Sequence, residues 1–226
     1  PRSTQGVSSA ASDVYKRQAQ GRPCLAVVAT AGTTVRGAID PLSDLAALCR
    51  DAGVWVHVDA AIGGVCALST SHASLMRGME RADSITLNPQ KLLGITKASS
   101  LLLLRDRTHL RQAFSTGLPY MQAPTEVDHG GEIGLQGTRP AEILKLWLGL
   151  RQLGEAGIEA TLSGALQRRA TFAAQLDSEK FTLLSGDLHL LAVQAMQGGI
   201  DSAERLSEQT LQMLLSNGYL LSRPFY

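Results

Sequence analysis

The sequence predicts an α/β fold with a mostly parallel sheet and helices on both faces. Two apolar runs, Cys24–Ala31 and Val54–Val58, and the short β-rich run Asp83–Leu87 are predicted to be the strands of this sheet. Helical patterns separate them, and parallel strands need such crossovers. The hydrophobic content of 44% is sufficient for a core. No apolar run approaches the roughly 20 residues of a membrane span, so no membrane association is expected.

Residues 1–18 are predicted not to be native. Ser8–Gln18 is the in-frame translation of a transposon-based sequencing adapter, and Pro1–Thr4 fits the primer stretch that lies upstream of it. The alternative is a natural flexible N-terminus rich in Ser and Ala. This stretch contributes three of the 21 basic and one of the 20 acidic residues, so the net charge without it is −1 instead of +1. The basic balance is then artificial, and no nucleic-acid partner is predicted.

The cysteines and histidines point to neither a disulfide framework nor a metal site. Cys24, Cys49 and Cys66 are odd in number, lie on apolar segments and lack CxxC spacing. They predict buried free thiols in a reducing compartment, which favours a cytoplasmic protein. The five histidines are scattered without metal-ligand spacing, so no metal is expected.

The first two strands form a predicted βαβ unit. The first strand ends in the donor-rich turn Gly32–Thr34, and the segment Asp40–Asp44 has the capping signature of a helix start. Apolar residues at helical spacing follow, and Gly53 ends the helix. The strand Val54–Val58 comes next, with Asp59 at its carboxyl end. The crossover between the two strands is expected to be right-handed.

Further predicted elements lead to Lys91. A second helix is expected over His72–Met79, before the strand Asp83–Leu87. Lys91 then lies in a loop that precedes another apolar run, Ser99–Leu104. Upstream of these elements, Gly63-Gly64 would let the backbone pass close to a neighbouring group.

Three strands thus deliver Thr34, Asp59 and Lys91 to one edge of one sheet, where open α/β sheets bind their ligands. A carboxylate buried at a strand end needs a cationic partner, and a desolvated lysine becomes a nucleophile. A protonated pyridine nitrogen and an aldehyde would satisfy the two groups, and pyridoxal phosphate offers both. An Asp that caps its loop and a Lys in solvent have the same spacing, so spacing alone leaves both interpretations open.

Four segments add a family resemblance that covers most of residues 24–176. They are Gly32–Leu42, His57-Val58-Asp59-Ala60-Ala61, Asn88-Pro89-Gln90-Lys91, and Leu135–Arg139 with the Leu144–Leu148 run after it. In order and spacing they resemble the group II pyridoxal-phosphate decarboxylases, the family of glutamate, cysteine sulfinate and aromatic amino acid decarboxylases. The first segment is similar to the glutamate and cysteine sulfinate branch in particular.

The resemblance implies a fold type I pyridoxal-phosphate enzyme and a role for each matching residue. Lys91 would hold the cofactor as a Schiff base, and Asp59 would pair with its pyridine nitrogen. Ala61 would pack on the ring face, and Thr34 would hydrogen-bond near the polar edge of the ring. Asn88 would contact the phosphate; the alternative is that it only forms the turn before Pro89.

The implied reaction is α-decarboxylation of a small acidic L-amino acid such as glutamate, aspartate or cysteine sulfinate. Arg139 would bind the substrate α-carboxylate, a bidentate task that suits guanidinium; otherwise it is a surface arginine near a helix start. The family implies a homodimer. The alternatives are an aminotransferase or lyase on the same fold, or a catalytically dead partner subunit.

Two positions depart from the family pattern. Gln90, in the cofactor-binding motif, stands where the family usually has His, and glutamine cannot titrate near neutral pH. The loop Pro119–Gly134 has only Tyr120, at its start, where the family has a catalytic tyrosine further along. His129 is a candidate replacement acid, or a solvated loop histidine. The hypothesis is that the enzyme leaks into transamination or uses His129; an unchanged amine yield in His129→Phe would remove the second option.

The predicted organisation is part of a large pyridoxal-phosphate domain over residues 19–176 and a truncated small α+β domain over residues 177–226. A long helical stretch, interrupted near a pair of glycines, precedes the boundary; two strands and an amphipathic helix follow it. These elements are Pro140–Leu176, Gly154–Gly157, Phe181–Leu184, Leu188–Ala195 and Ser202–Ser216. The family's ring-stacking histidine and main phosphate loop lie upstream of these segments. The chain is therefore expected to be an internal fragment, inactive alone and poor at binding the cofactor.

Overall fold

The computed structural model describes residues 20–21, 23–96, 100–121, 130–196 and 200–220. A four-stranded sheet contains β1 (Ala26–Thr30), β2 (Trp55–Asp59), β3 (Ser84–Leu87) and β4 (Leu101–Leu104) in that spatial order. Strands β1, β2 and β3 are parallel, whereas β4 is antiparallel to β3 and pairs its first residue with the last residue of β3. The predicted mostly parallel sheet is confirmed.

The first crossover is helix α1 (Leu42–Asp51), which buries Leu45 and Cys49 completely. The predicted helix is confirmed, but the predicted capping is wrong. No side chain caps the N-terminus of α1. The carboxylate of Asp40 instead accepts a hydrogen bond from the backbone N–H of Thr30 at 2.8 Å. Asp40 therefore fastens the loop to the end of β1, because this bond satisfies a strand-end amide that would otherwise lack a partner.

The predicted helix over His72–Met79 is also wrong. Three short 3₁₀ helices occupy the crossover between β2 and β3, at Gly64–Leu68, Ala73–Met76 and Met79–Arg81. Gly78 interrupts the last two with a φ of 99°. It lies directly against Ser43 of α1, where no side chain would fit. The chain thus gives up a regular helix for a close approach to α1.

The remaining helices and strands follow the expected order. They are α2 (Thr108–Phe114), α3 (Ile143–Ala174), β5 (Phe181–Leu183), β6 (Val193–Ala195) and α4 (Ile200–Ser216). Gly154 has non-helical backbone angles inside α3, which confirms the predicted interruption. Strands β5 and β6 form an antiparallel pair and are shorter than predicted. The domain boundary near residue 177 stays a prediction.

Leu188 joins the C-terminal part of the chain to the turn after β1. Its side chain is fully buried in a hollow formed by three glycines. A Cβ on Gly32 would come within 2.5 Å of Leu188 Cδ1, and one on Gly63 within 2.9 Å of the same atom. A Cβ on Gly37 would lie 3.0 Å from Leu188 Cβ. The hollow therefore exists only because these positions carry no side chain. We call it the glycine hollow.

We expect Leu188→Ala to lower the free energy of unfolding of the chain by about 2–5 kcal/mol, through lost burial and the cavity left behind. Urea unfolding would measure it. Leu183→Ala is the control, since Leu183 is 43% exposed on β5 and should cost less than about 1 kcal/mol. Equal losses in the two variants would show that the glycine hollow contributes nothing specific.

Glu159 holds helix α3 to the segment that follows the Gly64–Leu68 turn. Its carboxylate accepts hydrogen bonds from the Ser69 hydroxyl at 2.7 Å, the Thr70 backbone N–H at 3.1 Å and the Ser163 hydroxyl at 3.3 Å. Hydrogen bonds from Ser69 first, and then from Ser71 and Ser163, lower the pKa of Glu159 to about 2 from its ordinary 4.5. Hydrogen bonds to the ionised form favour that form.

The lowered pKa makes a prediction about acid stability. Because the folded state holds Glu159 ionised more strongly than the unfolded chain does, its contribution is present above pH 4.5 and is lost as the pH falls toward 2. We expect Glu159→Gln to flatten this part of the plot of unfolding free energy against pH. The exposed Glu155 on the same helix is the control, and Glu155→Gln should keep the slope of the parent chain. A Glu159→Gln plot parallel to that of the parent would contradict the prediction.

Candidate active site

The carboxyl ends of β1, β2 and β3 form one edge of the sheet, and candidate residues lie on it. Asp59 ends β2, where its register neighbours are Thr30 on β1 and Thr86 on β3. Thr34 follows shortly after the end of β1, and Lys91 follows shortly after the end of β3. The structure thus places Thr34, Asp59 and Lys91 at the common edge that the strand order predicts. We call this the carboxyl edge.

The Asp59 carboxylate is oriented by the backbone that follows it. Its Oδ1 accepts a hydrogen bond from the Ala61 N–H at 3.1 Å. Among the described residues Oδ2 has no such donor, and the side chain is exposed. Ala60 is fully buried and anchors the turn, while Ala61 is half-buried beside Asp59. One carboxylate oxygen is therefore held while the other can meet a cation.

The turn after β2 packs tightly against both neighbouring strands. The N–H of Gly63 donates to the carbonyl of Ala31 at 2.9 Å, and a Cβ on Gly63 would come within 2.5 Å of that oxygen. A Cβ on Gly64 would lie 2.8 Å from Ala60 Cβ and 3.2 Å from Leu87. The close approach predicted for Gly63-Gly64 is thus an approach to the protein's own strands, and it fixes Ala61 at the carboxyl edge.

Lys91 lies on an anchored turn. Its backbone N–H donates to the carbonyl of Asn88 at 3.1 Å, which closes the turn. Pro89 within the turn is fully buried, and Leu93 and Ile95 beyond it are each 7% exposed. The Lys91 side chain itself is exposed. The turn therefore presents a primary amine on a backbone that buried neighbours hold in place.

Two buried amide oxygens on the same turn lack partners. Asn88 Oδ1 and Gln90 Oε1 are buried and accept no hydrogen bond among the described residues. An unpaired buried polar atom costs about 1–3 kcal/mol. A terminal amide can also turn so that its NH₂ group takes the position of the oxygen. The turn can therefore offer acceptors or donors to a polar group bound at the carboxyl edge.

Each ring nitrogen of His57 forms a hydrogen bond with a hydroxyl group on β3, which the motif alone did not predict. Its Nδ1 lies 2.8 Å from Ser84 Oγ, and its Nε2 lies 3.2 Å from Thr86 Oγ1. Trp55 Nε1 donates to the same Ser84 hydroxyl at 2.9 Å. The strand period of two places Trp55, His57 and Asp59 on one face of β2. That alternation was the available signal that His57 shares a sheet face with Asp59.

Arg139 lies on a separate segment. Its Nε donates to the carbonyl of Gln136 at 3.1 Å, and its Nη2 donates to the carbonyl of Gly130. No hydrogen bond among the described residues joins Arg139 to the carboxyl edge, so its substrate-binding role stays a prediction. His129 lies outside the described residues. The backbone of Tyr120 falls in the 3₁₀ turn Pro119–Met121.

The described residues contain no group of three His, Cys, Asp or Glu side chains placed to ligate a metal ion. None of the helices described there combines the length and apolar character needed to cross a membrane. All three cysteines are free, with Cys49 and Cys66 buried and Cys24 half-buried. Burial raises the pKa of Cys66 to about 11, which keeps it a thiol at neutral pH.

Comparison with known proteins decides the family. Residues 3–194 match the family model described as the pyridoxal-dependent decarboxylase conserved domain. The chain belongs to the pyridoxal-dependent decarboxylase family. Its cofactor is pyridoxal phosphate. The matched range takes in part of residues 1–18, whose predicted origin in an adapter stays a prediction.

Three curated decarboxylases are similar to between 66% and 77% of the chain. The L-aspartate decarboxylase dtxS4 of Metarhizium robertsii is 36% identical over 176 residues, which are 76% of this chain and 35% of that protein. Human cysteine sulfinic acid decarboxylase is 38% identical over 66% of this chain and 31% of its own length. The L-2,4-diaminobutyrate decarboxylase of Rhizobium meliloti is 37% identical over 77% of this chain and 36% of its own length. The chain thus spans about a third of these relatives.

Solved structures give the same fold. Mouse CSAD in apo form matches with a TM-score of 0.81 and 28% identity, over 95% of this chain and 48% of that one. Oryza sativa TDC with PLP and tryptamine matches with a TM-score of 0.86 at 23% identity, over 95% of this chain and 46% of that one. The chain has the fold of type I pyridoxal-phosphate enzymes, with its mostly parallel sheet and helices.

The residues at the carboxyl edge fit the cofactor of the pyridoxal-dependent decarboxylase family. The open Oδ2 of Asp59 suits a protonated pyridine nitrogen, and the Lys91 amine suits an aldehyde. The unpaired amides of Asn88 and Gln90 suit a phosphate or ring oxygen. Each feature is the polar complement of a different part of pyridoxal phosphate.

Proposed function

We propose that the protein carrying this chain decarboxylates a small acidic L-amino acid, using pyridoxal phosphate held at the carboxyl edge. The observation that carries the proposal is the position of Asp59 and Lys91 at the ends of adjacent parallel strands, within a sequence of this family. The Ala61 N–H takes only one oxygen of the Asp59 carboxylate, and among the described residues no hydrogen bond or ion pair engages the Lys91 amine. Catalysis would take place where these two side chains meet the cofactor.

Pyridoxal phosphate, when bound, supplies an electron sink for the bond that breaks at the substrate α-carbon. Lys91 would hold the cofactor aldehyde. Asp59 would keep a proton on the pyridine nitrogen, which the sink requires. Arg139 would bind the α-carboxylate and orient it through a charge-assisted hydrogen bond. Ala61, small and half-buried, would leave room for the ring beside Asp59.

The substrate proposal follows the relatives. An L-aspartate decarboxylase, cysteine sulfinic acid decarboxylases and the acidic amino acid decarboxylase GADL1 of Bos taurus all match this chain. The names of these relatives state acidic substrates, whereas the name of the diaminobutyrate decarboxylase states a basic one. An acidic amino acid is therefore favoured, with the diaminobutyrate side chain as the first alternative to exclude.

We also propose a cytoplasmic homodimer. Helix α3 begins with an exposed apolar stripe of Ile143, Leu144, Trp147 and Leu148, each 57–64% exposed. The Arg151 guanidinium lies over the Trp147 ring at 5.8 Å. A second copy of the chain would bury this stripe, and free thiols suit a reducing compartment. Sedimentation equilibrium of the enzyme should give the mass of a dimer; a monomeric mass would contradict the proposal.

Carbon dioxide release tests the function. An enzyme of full family length that carries this sequence would be incubated with cofactor and L-glutamate, L-aspartate, cysteine sulfinate, 2,4-diaminobutyrate or an aromatic amino acid. We expect stoichiometric carbon dioxide and amine from one acidic substrate. Keto acid without carbon dioxide would favour an aminotransferase and overturn the proposal. Failure to acquire cofactor absorbance would favour a catalytically dead subunit.

A further inference from the structure

Glu132 is a buried carboxylate that forms no ion pair with any of the described residues. It is 6% exposed and ends the 3₁₀ turn Gly130–Glu132. It accepts hydrogen bonds from the Ser115 hydroxyl, the Thr116 hydroxyl and the Thr116 backbone N–H, the last at 2.9 Å. These bonds, that of Ser115 first, lower the pKa of Glu132. A buried carboxylate with several donors is fixed in place, because moving it would leave its charge buried without those hydrogen bonds.

The same 3₁₀ turn holds Arg139. The Gly130 carbonyl accepts from Arg139 Nη2, and the Gln136 carbonyl accepts from Nε at 3.1 Å. Gly134 lies beneath the guanidinium, since a Cβ there would come within 2.6 Å of Nη2. Among the described residues Nη1 has no hydrogen-bond partner. The guanidinium plane is therefore fixed by two carbonyls while one of its nitrogens remains open to a ligand.

These contacts form one continuous connection. The Ser115-Thr116 segment holds Glu132, Glu132 ends the turn that begins at Gly130, and Gly130 holds Arg139. Ser115 and Arg139, the two ends of this connection, are not neighbours in the sequence, so the connection forms only when the chain has folded. A guanidinium that is already oriented loses less conformational entropy when it binds a carboxylate.

We propose that Glu132 is a positioning residue for substrate binding, one that sets the Arg139 guanidinium toward the α-carboxylate of the amino acid. The proposal rests on the function proposed above, in which Arg139 binds that carboxylate. Glu132 itself touches neither substrate nor cofactor. Its contribution is to hold the backbone carbonyl of Gly130 where Arg139 needs it.

Steady-state kinetics of the full-length holoenzyme test the proposal. We expect Glu132→Gln to raise KM for the amino acid about ten- to hundredfold, the effect of weakening one charge-assisted hydrogen bond, with a smaller change in kcat and unchanged cofactor absorbance. The amine product lacks the α-carboxylate, so its inhibition constant should not change. If Glu132 only stabilised the fold, Glu132→Gln would raise both KM for the amino acid and the inhibition constant of the amine. Ser115→Ala removes one donor from Glu132 and should raise KM in the same way by a smaller factor.

A double-mutant cycle separates this inference from the function on which it rests. Arg139→Lys should raise KM, and adding Glu132→Gln to it should raise KM no further, because the two act on one interaction. If Arg139→Lys raises KM while Glu132→Gln and Ser115→Ala do not, the positioning role is wrong and the role of Arg139 stands. If Arg139→Lys leaves KM unchanged, the role of Arg139 is wrong and the inference falls with it. An equal rise in the inhibition constant of the amine would also overturn the inference.

Discussion

Lys91→Ala is expected to lower the rate of carbon dioxide release by the full-length enzyme about 10³-fold or more, the scale on which loss of a covalent catalytic group acts. The Asn88–Lys91 turn is anchored by the buried Pro89, so alanine should leave the fold intact. The variant should also lose the absorbance of lysine-bound cofactor. Initial rates and absorbance spectra at saturating substrate would measure both effects.

Two further variants make the Lys91 result specific. Lys91→Arg keeps the positive charge but removes the primary amine, and it should be as inactive as Lys91→Ala. Lys180 is the control, because it pairs with Asp177 at 2.8 Å in the C-terminal part of the chain. Lys180→Ala should keep the parent rate. A Lys91→Ala enzyme that retains a tenth of the parent rate would show that the amine lies elsewhere.

Asp59→Asn is expected to lower kcat about 10²- to 10³-fold, the usual cost of removing one preorganised electrostatic group. Asparagine can still accept the Ala61 N–H through its own Oδ1, so the turn after β2 should persist. It cannot hold a positive charge on the pyridine nitrogen, since it carries no negative charge. The variant should therefore bind cofactor and substrate but turn over slowly.

Comparing kcat with thermal stability in Asp59→Asn tests whether Asp59 serves the reaction or the fold. Thermal unfolding of Asp59→Asn should be close to that of the parent, while kcat falls. Asp44, an exposed acid in the first turn of α1, is the matched control, and Asp44→Asn should change neither quantity appreciably. A loss of activity that tracks a loss of melting temperature would assign Asp59 to the fold and not to the reaction.

The sheet and its carboxyl edge could be predicted because their signals are local. Cys24–Ala31 is a continuous apolar run, and Asp83–Leu87 alternates polar and apolar residues. Parallel neighbours must end at the same edge. That is why the positions of Asp59 and Lys91 followed from the strand order alone. The sequence motif could also name Ala61 as a neighbour of Asp59, since both lie in one turn.

The wrong and missing predictions concern contacts between distant segments. Asp40 has the spacing of a helix cap, but β1 competes for its carboxylate. Gly78 ends the expected helix because α1 lies against it. Glu132 finds its donors 16 and 17 residues upstream, and Leu188 fills the glycine hollow from beyond the long helix α3. No periodicity or propensity encodes such partners, because each exists only after both segments have folded.

The direction of β4 has a consequence for the Lys91 loop. Because β4 is antiparallel to β3, Leu87 and Leu101 are paired, and the loop leaves and re-enters the sheet at one place. If β4 were parallel to β3, the chain would have to cross to the opposite edge of the sheet before β4 could begin. The loop would then have to be at least as long as the strands. The antiparallel return frees it from that requirement. Residues can be added to or removed from the far side of this loop without shifting any strand, while the anchored turn keeps the amine in place.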